Sequence, residues 1–242
     1  MFKQFRPLEI GEFIIAGGDC SQGGDDFNVT QFFSKDKLDV PLIYRAKSVA
    51  NSMTTAIQPV LENIATFTGI KPMVALERNM GGASEMERLS ILNRDNYYEL
   101  FLMPQLGTED KINVETKKLG FNTNTLSRPI LVGSLKEIID IHGIGIYDED
   151  TINELATFIN NNQGKPEASK GAHDDCVIAL AISWFVSNRS VKRSLSQPIT
   201  NYNNKKWRLQ SALSVAGSLI IMVHVDQSLL FVLIVDLVIY QY

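Results

Sequence analysis

The run FIIAGGDC at Phe13–Cys20 decides the fold. It is apolar almost throughout and closes on two glycines and an acid, as a central strand covered on both faces would. Asn28–Ser34 and Pro41–Ala46 follow as shorter strands at hairpin-like spacing. From Ser52 to Phe67 the period becomes helical, with Ile57, Val60, Leu61 and Ile64 on one face. Pro72–Leu76 reads as a second buried strand, closing on Glu77, and a helix over Ser84–Arg94 and a strand at Glu99–Met103 come next. Residues 104–129 form a long polar connection, a kind of segment that is often functional. Amphipathic helices are expected over Ile130–Ile141 and Asp150–Asn161, the second capped by Asp148–Thr151. A last helix starts near His173 and carries Val177, Ile178, Ala181, Ile182 and Phe185. Antiparallel strands followed by alternating helices and strands predict an α/β domain with a mixed sheet.

Bulk composition narrows the function classes. With 242 residues, 45% of them hydrophobic, the chain can bury one sizeable core. A net charge of −4 argues against a basic coat for nucleic acid, so any DNA contact must come from a local strip or from bound metal. Two cysteines and three histidines provide neither zinc-ligand spacing nor a disulfide framework, as in a reducing, cytosol-like compartment. The N-terminus lacks the apolar core of a signal peptide.

Three acidic positions need explaining. Asp19 ends the first strand, on the face that carries Ile15 and Gly17. Glu77 ends the strand Pro72–Leu76 in the same way, and Asp174–Asp175 follow His173 at the start of an apolar helix. Singly, each has an ordinary explanation: Asp19 a turn, Glu77 an ion pair with Arg78, Asp174 or Asp175 a helix cap. Together, carboxylates converging from strand ends and a helix repel one another unless a divalent cation neutralises them. Oxygen-only ligand sets select Mg²⁺ or Mn²⁺, and two such ions can clamp an in-line phosphoryl displacement. The run GGDCSQGGDD is not an EF-hand, because its twelfth position counted from Asp19 is Thr30, and no Walker A sequence occurs.

The blocks GGDCSQGGDD at 17–26, VALERNMG at 74–81 and GAHDDCVIALA at 171–181, with KLGFNTN at 118–124 ahead of SRPIL, resemble the nuclease domain of the large terminase subunit of tailed bacteriophages. The likeness spans roughly Phe13 to Asn188, and the acidic blocks occur in that family's order. It implies a ribonuclease H-like fold, a mixed sheet of about five strands flanked by helices. The implied activity is endonucleolytic cutting of double-stranded viral DNA concatemers during packaging, with two Mg²⁺ or Mn²⁺ ions. Asp19, Glu77, Asp174 and Asp175 match the catalytic, metal-binding acids; which of Asp174 and Asp175 faces the metal stays open, because neighbours on a helix point about 100° apart. Asp25 or Asp26 is a further carboxylate candidate, with Asp26 preferred. Asn79 and His173 could orient water or substrate, and Gly81 shapes the turn. Lys111, Lys117, Lys118 and Arg128 could meet DNA phosphates or form an ordinary solvated face. Cys20 and Cys176 read as small buried packing residues.

The family's partners are double-stranded DNA, a small terminase subunit, the portal and an ATPase motor domain, and nothing in this sequence resembles the motor. Residues 1–189 are expected to form the nuclease domain and 190–242 a basic linker and apolar tail of unassigned role. His224, Asp226, Gln227 and Asp236 interrupt the tail, which argues against a membrane span. The host cytoplasm is the expected location. Two other functions compete: a non-catalytic relic that keeps the fold as a DNA- or partner-binding module, and another ribonuclease H-like enzyme such as a junction resolvase.

Overall fold

The computed structural model describes residues 1–103, 118–161 and 166–195, together with the backbone of 219–221 and 233–235. Strands β1 (Phe2–Gln4), β2 (Ile14–Asp19), β3 (Asn28–Ser34) and β4 (Asp39–Ala46) lead into helix α1 (Ala50–Thr68). Strand β5 (Met73–Leu76), helix α2 (Gly82–Leu92) and strand β6 (Glu99–Leu100) complete the sheet. Its order is β1-β4-β3-β2-β5-β6, antiparallel from β1 to β2 and parallel from β2 through β6. The sheet is therefore mixed, with six strands where about five were expected. The additional one, β1, is only three residues long, too short to show an alternation in sequence. It is held at the edge by pairing Phe2 with Tyr44, whose rings lie 4.9 Å apart.

Alternation along the strands separates two cores. Ile14 and Ala16 of β2 pack with Ile57, Val60, Leu61 and Ile64 of α1. All four helix residues are fully buried, each stabilising the fold by on the order of 1.5–3 kcal/mol. Ile15 faces the other way, into a cluster built from helix α3 (Ser127–Asp140) and helix α5 (Asp175–Ser187). Gly17 and Asp19 share that face by strand period. Helix α4 (Glu149–Thr157) packs against α5, and the expected cap is present: the Asp148 carboxylate accepts from Thr151 N at 2.9 Å.

Two expectations are corrected. Glu99–Met103 is not one strand. At Phe101 the chain stops following β5 and begins a new pairing, of β7 (Leu102–Met103) with β8 (Lys118–Leu119). Phe101 marks the switch, donating to Val74 O at 2.9 Å and accepting from Gly120 N at 2.8 Å. Nor does α4 continue to Asn161. Phe158 turns to ψ 125°, and Phe158–Asn160 (β9) pairs antiparallel with Pro166–Ala168 (β10). The partner sequence PEA carries no strand signal, so the hairpin could not be read locally.

The chain stays attached beyond residue 189: Arg193 O accepts from Lys71 N, and Leu195 N donates to Gly69 O, both at 2.9 Å. In the tail, Leu219–Ile221 (β11) pairs antiparallel with Leu233–Val235 (β12). Among the described residues, no helix is long and apolar enough to cross a membrane.

Candidate metal centre

Parallel pairing of β2 and β5 brings the first two acids together. Gly18 lies opposite Leu76, and Glu77 N donates to Gly18 O at 2.7 Å, so Asp19 and Glu77 leave adjacent strand ends on one face. Asp19 is 8% exposed and Glu77 7%. The Glu77 carboxyl lies close enough to Asp19 to act on its ionisation. Burial, the first cause, drives the Asp19 pKa well above the usual carboxylate range, and the charges of Glu77, Asp175 and Asp174 add to it. Among the described residues, no Lys or Arg forms an ion pair with Asp19 or Glu77. Asn79 supports the pair from the side: its Nδ2 donates to Glu77 Oε1 and to Thr123 O, both at 3.1 Å.

Helix α5 carries Asp174 and Asp175 at its start, and its approach to β2 depends on Gly17. A Cβ built at Gly17 would lie 2.4 Å from Ser183 N and Oγ and 2.7 Å from Ala179 O. With the side chain absent, Gly17 N donates to Ser183 Oγ at 3.0 Å, and helix and strand touch backbone to backbone. Asp175, Ala179 and Ser183 recur every four residues, hence on one helix face. Asp175 therefore lies two turns beyond the Gly17 contact, at the strand ends that carry Asp19 and Glu77.

The two neighbouring acids have different surroundings. Asp174 precedes α5, and its side chain forms an ion pair with Arg128 Nη2, while Arg128 Nε donates to Pro166 O at 3.1 Å. Asp175 is buried, its Oδ2 accepting from Phe27 N at 3.2 Å. Its pKa is pushed up to about 6, first by burial and then by Glu154 and Asp26; the Phe27 N–H and His173 oppose the rise.

A second group adjoins the first. His173 Nδ1 lies 3.6 Å from Asp26 Oδ1 and 3.7 Å from Asp175 Oδ2. Asp26, His173 and Asp175 can each place a ligand atom within 4.8 Å of the others, an arrangement able to hold a cation. Asp25 instead points toward Lys47, at 3.7 Å. The ring of Phe27 stands edge-on to His173 and under the Arg45 guanidinium, 3.5 Å from its centroid.

The other candidates divide. Lys111 and Lys117 lie outside the described residues. Lys118 is exposed on β8, and Arg128 is half-buried with Asp174 as its partner. Gly81 takes φ 93° in the turn that follows Glu77, as a left-handed position requires. Cys20 and Cys176 are buried free thiols, as expected. Burial, with Asp19, Glu77 and Glu85 nearby, pushes the Cys20 thiol up well beyond its ordinary value. Sequence reasoning missed Phe27, Arg45 and Glu154. They reach the site through a backbone amide, a stacking contact and a capping carboxylate from another helix, none of which leaves a local motif.

The donor set suits a divalent cation. Asp19, Glu77, Asp26 and Asp175 gather at this end of the sheet, while of the guanidiniums nearby Arg128 pairs with Asp174 and Arg45 with Glu154. Such a cluster is compensated either by protons or by a hard cation with oxygen ligands.

No protein-family profile matches the chain, and neither does any curated protein. Solved structures do. The large terminase nuclease of the thermophilic phage G20c aligns with a TM-score of 0.54 at 14% identity, over 76% of this chain and 87% of that one. The chain has the terminase-nuclease fold. The same phage nuclease with bound magnesium gives 0.55 at 14% identity, over 76% and 86% of the two chains. Its zinc-bound form gives 0.53 at 14% identity, with the same coverage. At 14% identity the likeness is one of fold.

Proposed function

We propose that this chain is a metal-dependent endonuclease that cleaves double-stranded viral DNA concatemers during genome packaging. The observation that carries the reading is the buried Asp19–Glu77 pair beside the Asp26–His173–Asp175 cluster, with no Lys or Arg ion-paired to Asp19, Glu77 or Asp175 among the described residues. Asp26, His173 and Asp175 would hold one divalent ion, and the Asp19–Glu77 pair would bind a second. Bound there, Mg²⁺ or Mn²⁺ would neutralise the acids, polarise a phosphate and lower the pKa of a coordinated water. Asn79 fixes the Glu77 carboxylate, and the Phe27 amide fixes that of Asp175. His173, half-exposed at the edge of the cluster, is placed to orient water or a leaving oxygen.

Asp174 is assigned away from the metal, because its carboxylate serves Arg128. Lys118, Lys111 and Lys117 are candidate phosphate contacts, and Arg128 belongs with the acids rather than with them. Double-stranded DNA, a small terminase subunit, the portal and a separate ATPase motor are the partners this reading implies, in the cytoplasm of the host cell. The magnesium-bound form of the G20c nuclease supports the choice of a divalent ion.

The test is nicking of supercoiled plasmid across a Mn²⁺ series. Cleavage that depends on Mn²⁺ and disappears in Asp19→Ala supports the proposal. No cleavage by the wild type at any Mn²⁺ concentration, or undiminished cleavage by Asp19→Ala, overturns it in favour of a non-catalytic module.

A further inference from the structure

The first turn of α5 is capped from a distance. A helix N-cap side chain ordinarily accepts from the amides two and three residues on. Asp174 occupies that position but makes no side-chain cap bond, because its carboxylate is engaged by Arg128. The amides do not go unserved. Glu154, on α4, places Oε2 2.7 Å from Cys176 N and 3.4 Å from Val177 N. Glu154 is 6% exposed, and its other oxygen lies 3.7 Å from Arg45 Nη2. Arg45 in turn stacks on Phe27, whose own amide donates to Asp175. One chain of contacts therefore runs from Glu154 on α4 through Arg45 on β4 and Phe27 to Asp175 on α5.

We infer that Glu154 is a positioning residue for the candidate metal centre: by capping α5 in place of Asp174, it holds Asp175 beside Asp26 and His173 and leaves Asp174 free for Arg128. The inference rests on the reading of Asp175 as a metal ligand proposed above. Without the Glu154 acceptor, the nearest carboxylate able to satisfy Cys176 N and Val177 N is that of Asp174. Its return to the cap would break the Arg128 pair and rotate the first turn of α5. Hydrogen-bonded groups behind metal ligands typically matter to metal affinity by about 10–100-fold.

The experiment compares wild type, Glu154→Ala and Glu154→Gln, the last keeping an oxygen acceptor at Oε1. A control, Leu155→Ala, loosens α4 without touching the cap. Amide hydrogen exchange on the metal-free proteins reads the cap directly. Protection of Cys176 N–H and Val177 N–H should fall in Glu154→Ala and persist in Glu154→Gln and Leu155→Ala. Calorimetric titration with Mn²⁺ should show affinity about 10–100-fold weaker in Glu154→Ala, and within a few-fold of wild type in the other two.

Unchanged protection in Glu154→Ala, or equal Mn²⁺ affinity in Glu154→Ala and wild type, overturns the positioning role. So does an equal loss of affinity in Leu155→Ala, which would show general loosening of the fold. If the wild type itself binds no Mn²⁺, the metal-centre reading fails and the positioning role with it; the exchange pattern then reports only on the cap.

Discussion

Replacing Asp175 by Asn should make the metal-free protein more stable while removing its response to metal. The Asp175 carboxyl is lifted from an ordinary 3.8 to about 6 by burial and by its acidic neighbours. At ~1.36 kcal/mol per pH unit, ionising it in the folded state costs about 3 kcal/mol more than in the unfolded chain. Its side chain is only 12% exposed, so solvent screening discounts this modestly. The folded pKa lies above the unfolded one, so the native state retains a proton that the unfolded state releases. Stability therefore declines as pH rises from about 4 to about 6, and the full cost stands at pH 8. Asparagine keeps an oxygen to accept from Phe27 N and cannot ionise. In EDTA at pH 8, thermal denaturation of Asp175→Asn should occur roughly 6–12 °C above wild type, taking roughly 2–4 °C per kcal/mol for a chain of this size. Near pH 4 most of the difference should be gone. Added Mn²⁺ should raise the wild-type midpoint and leave the variant's almost unmoved. A variant no more stable than wild type at pH 8 in EDTA would refute the account of a self-repelling acidic cluster.

The same logic reaches other positions. Asp19→Asn should also gain stability in EDTA and lose Mn²⁺-dependent nicking, because the acid most strongly shifted by burial and Glu77 is the one neutralised; wild-type nicking by this variant would contradict its role. Gly17→Ala forces a methyl to within 2.4 Å of Ser183 backbone, so urea denaturation should show a loss of about 1–3 kcal/mol. Mn²⁺ affinity should fall with it, as α5 is pushed off β2; a stable variant with intact affinity would refute the backbone-contact argument. Arg128→Ala removes a partly exposed ion pair, and calorimetry should register about 1 kcal/mol or less. Plasmid affinity should change little in that variant, because the guanidinium is committed to Asp174. Asn79→Ala should weaken Mn²⁺ binding by about 10-fold with little change in thermal midpoint, since at an exposed position it loses the donors to Glu77 Oε1 and Thr123 O.

What could be read from the sequence follows from how each feature is encoded. Strand β2 was legible because a doubly buried strand must be apolar at every position, and α1 because its buried stripe repeats every three to four residues. The acids stood out because a carboxylate at the end of an apolar run contradicts its surroundings. Strand β1, the β9–β10 hairpin and the break at Phe101 escaped, since each depends on a partner distant in sequence. The sequence pattern left Asp174 and Asp175 equivalent. Only the placement of Arg128, 46 residues upstream of Asp174, and of the Phe27 amide separates them. Glu154 looked like one more polar residue on an amphipathic helix, and its role appears once α4 is packed against α5.

The balance of forces at the start of α5 makes the separation of the two acids more than descriptive. A helix N-terminus favours negative charge by about 0.3–1 kcal/mol, and up to ~2 kcal/mol when partly buried. Asp175 sits in that first turn, and the Phe27 N–H and His173 both favour its charged form. Its pKa nevertheless rises to about 6. Desolvation and the surrounding carboxylates outweigh the Phe27 hydrogen bond and His173 together. Asp174, one residue earlier and more exposed, meets a guanidinium instead. The same helix end thus holds one acid that is already compensated and one that is not, and the uncompensated acid adds its charge at Asp19. A site built in this way is unfavourable without a counter-ion, and its proximity to the Gly17 contact leaves α5 little room to withdraw.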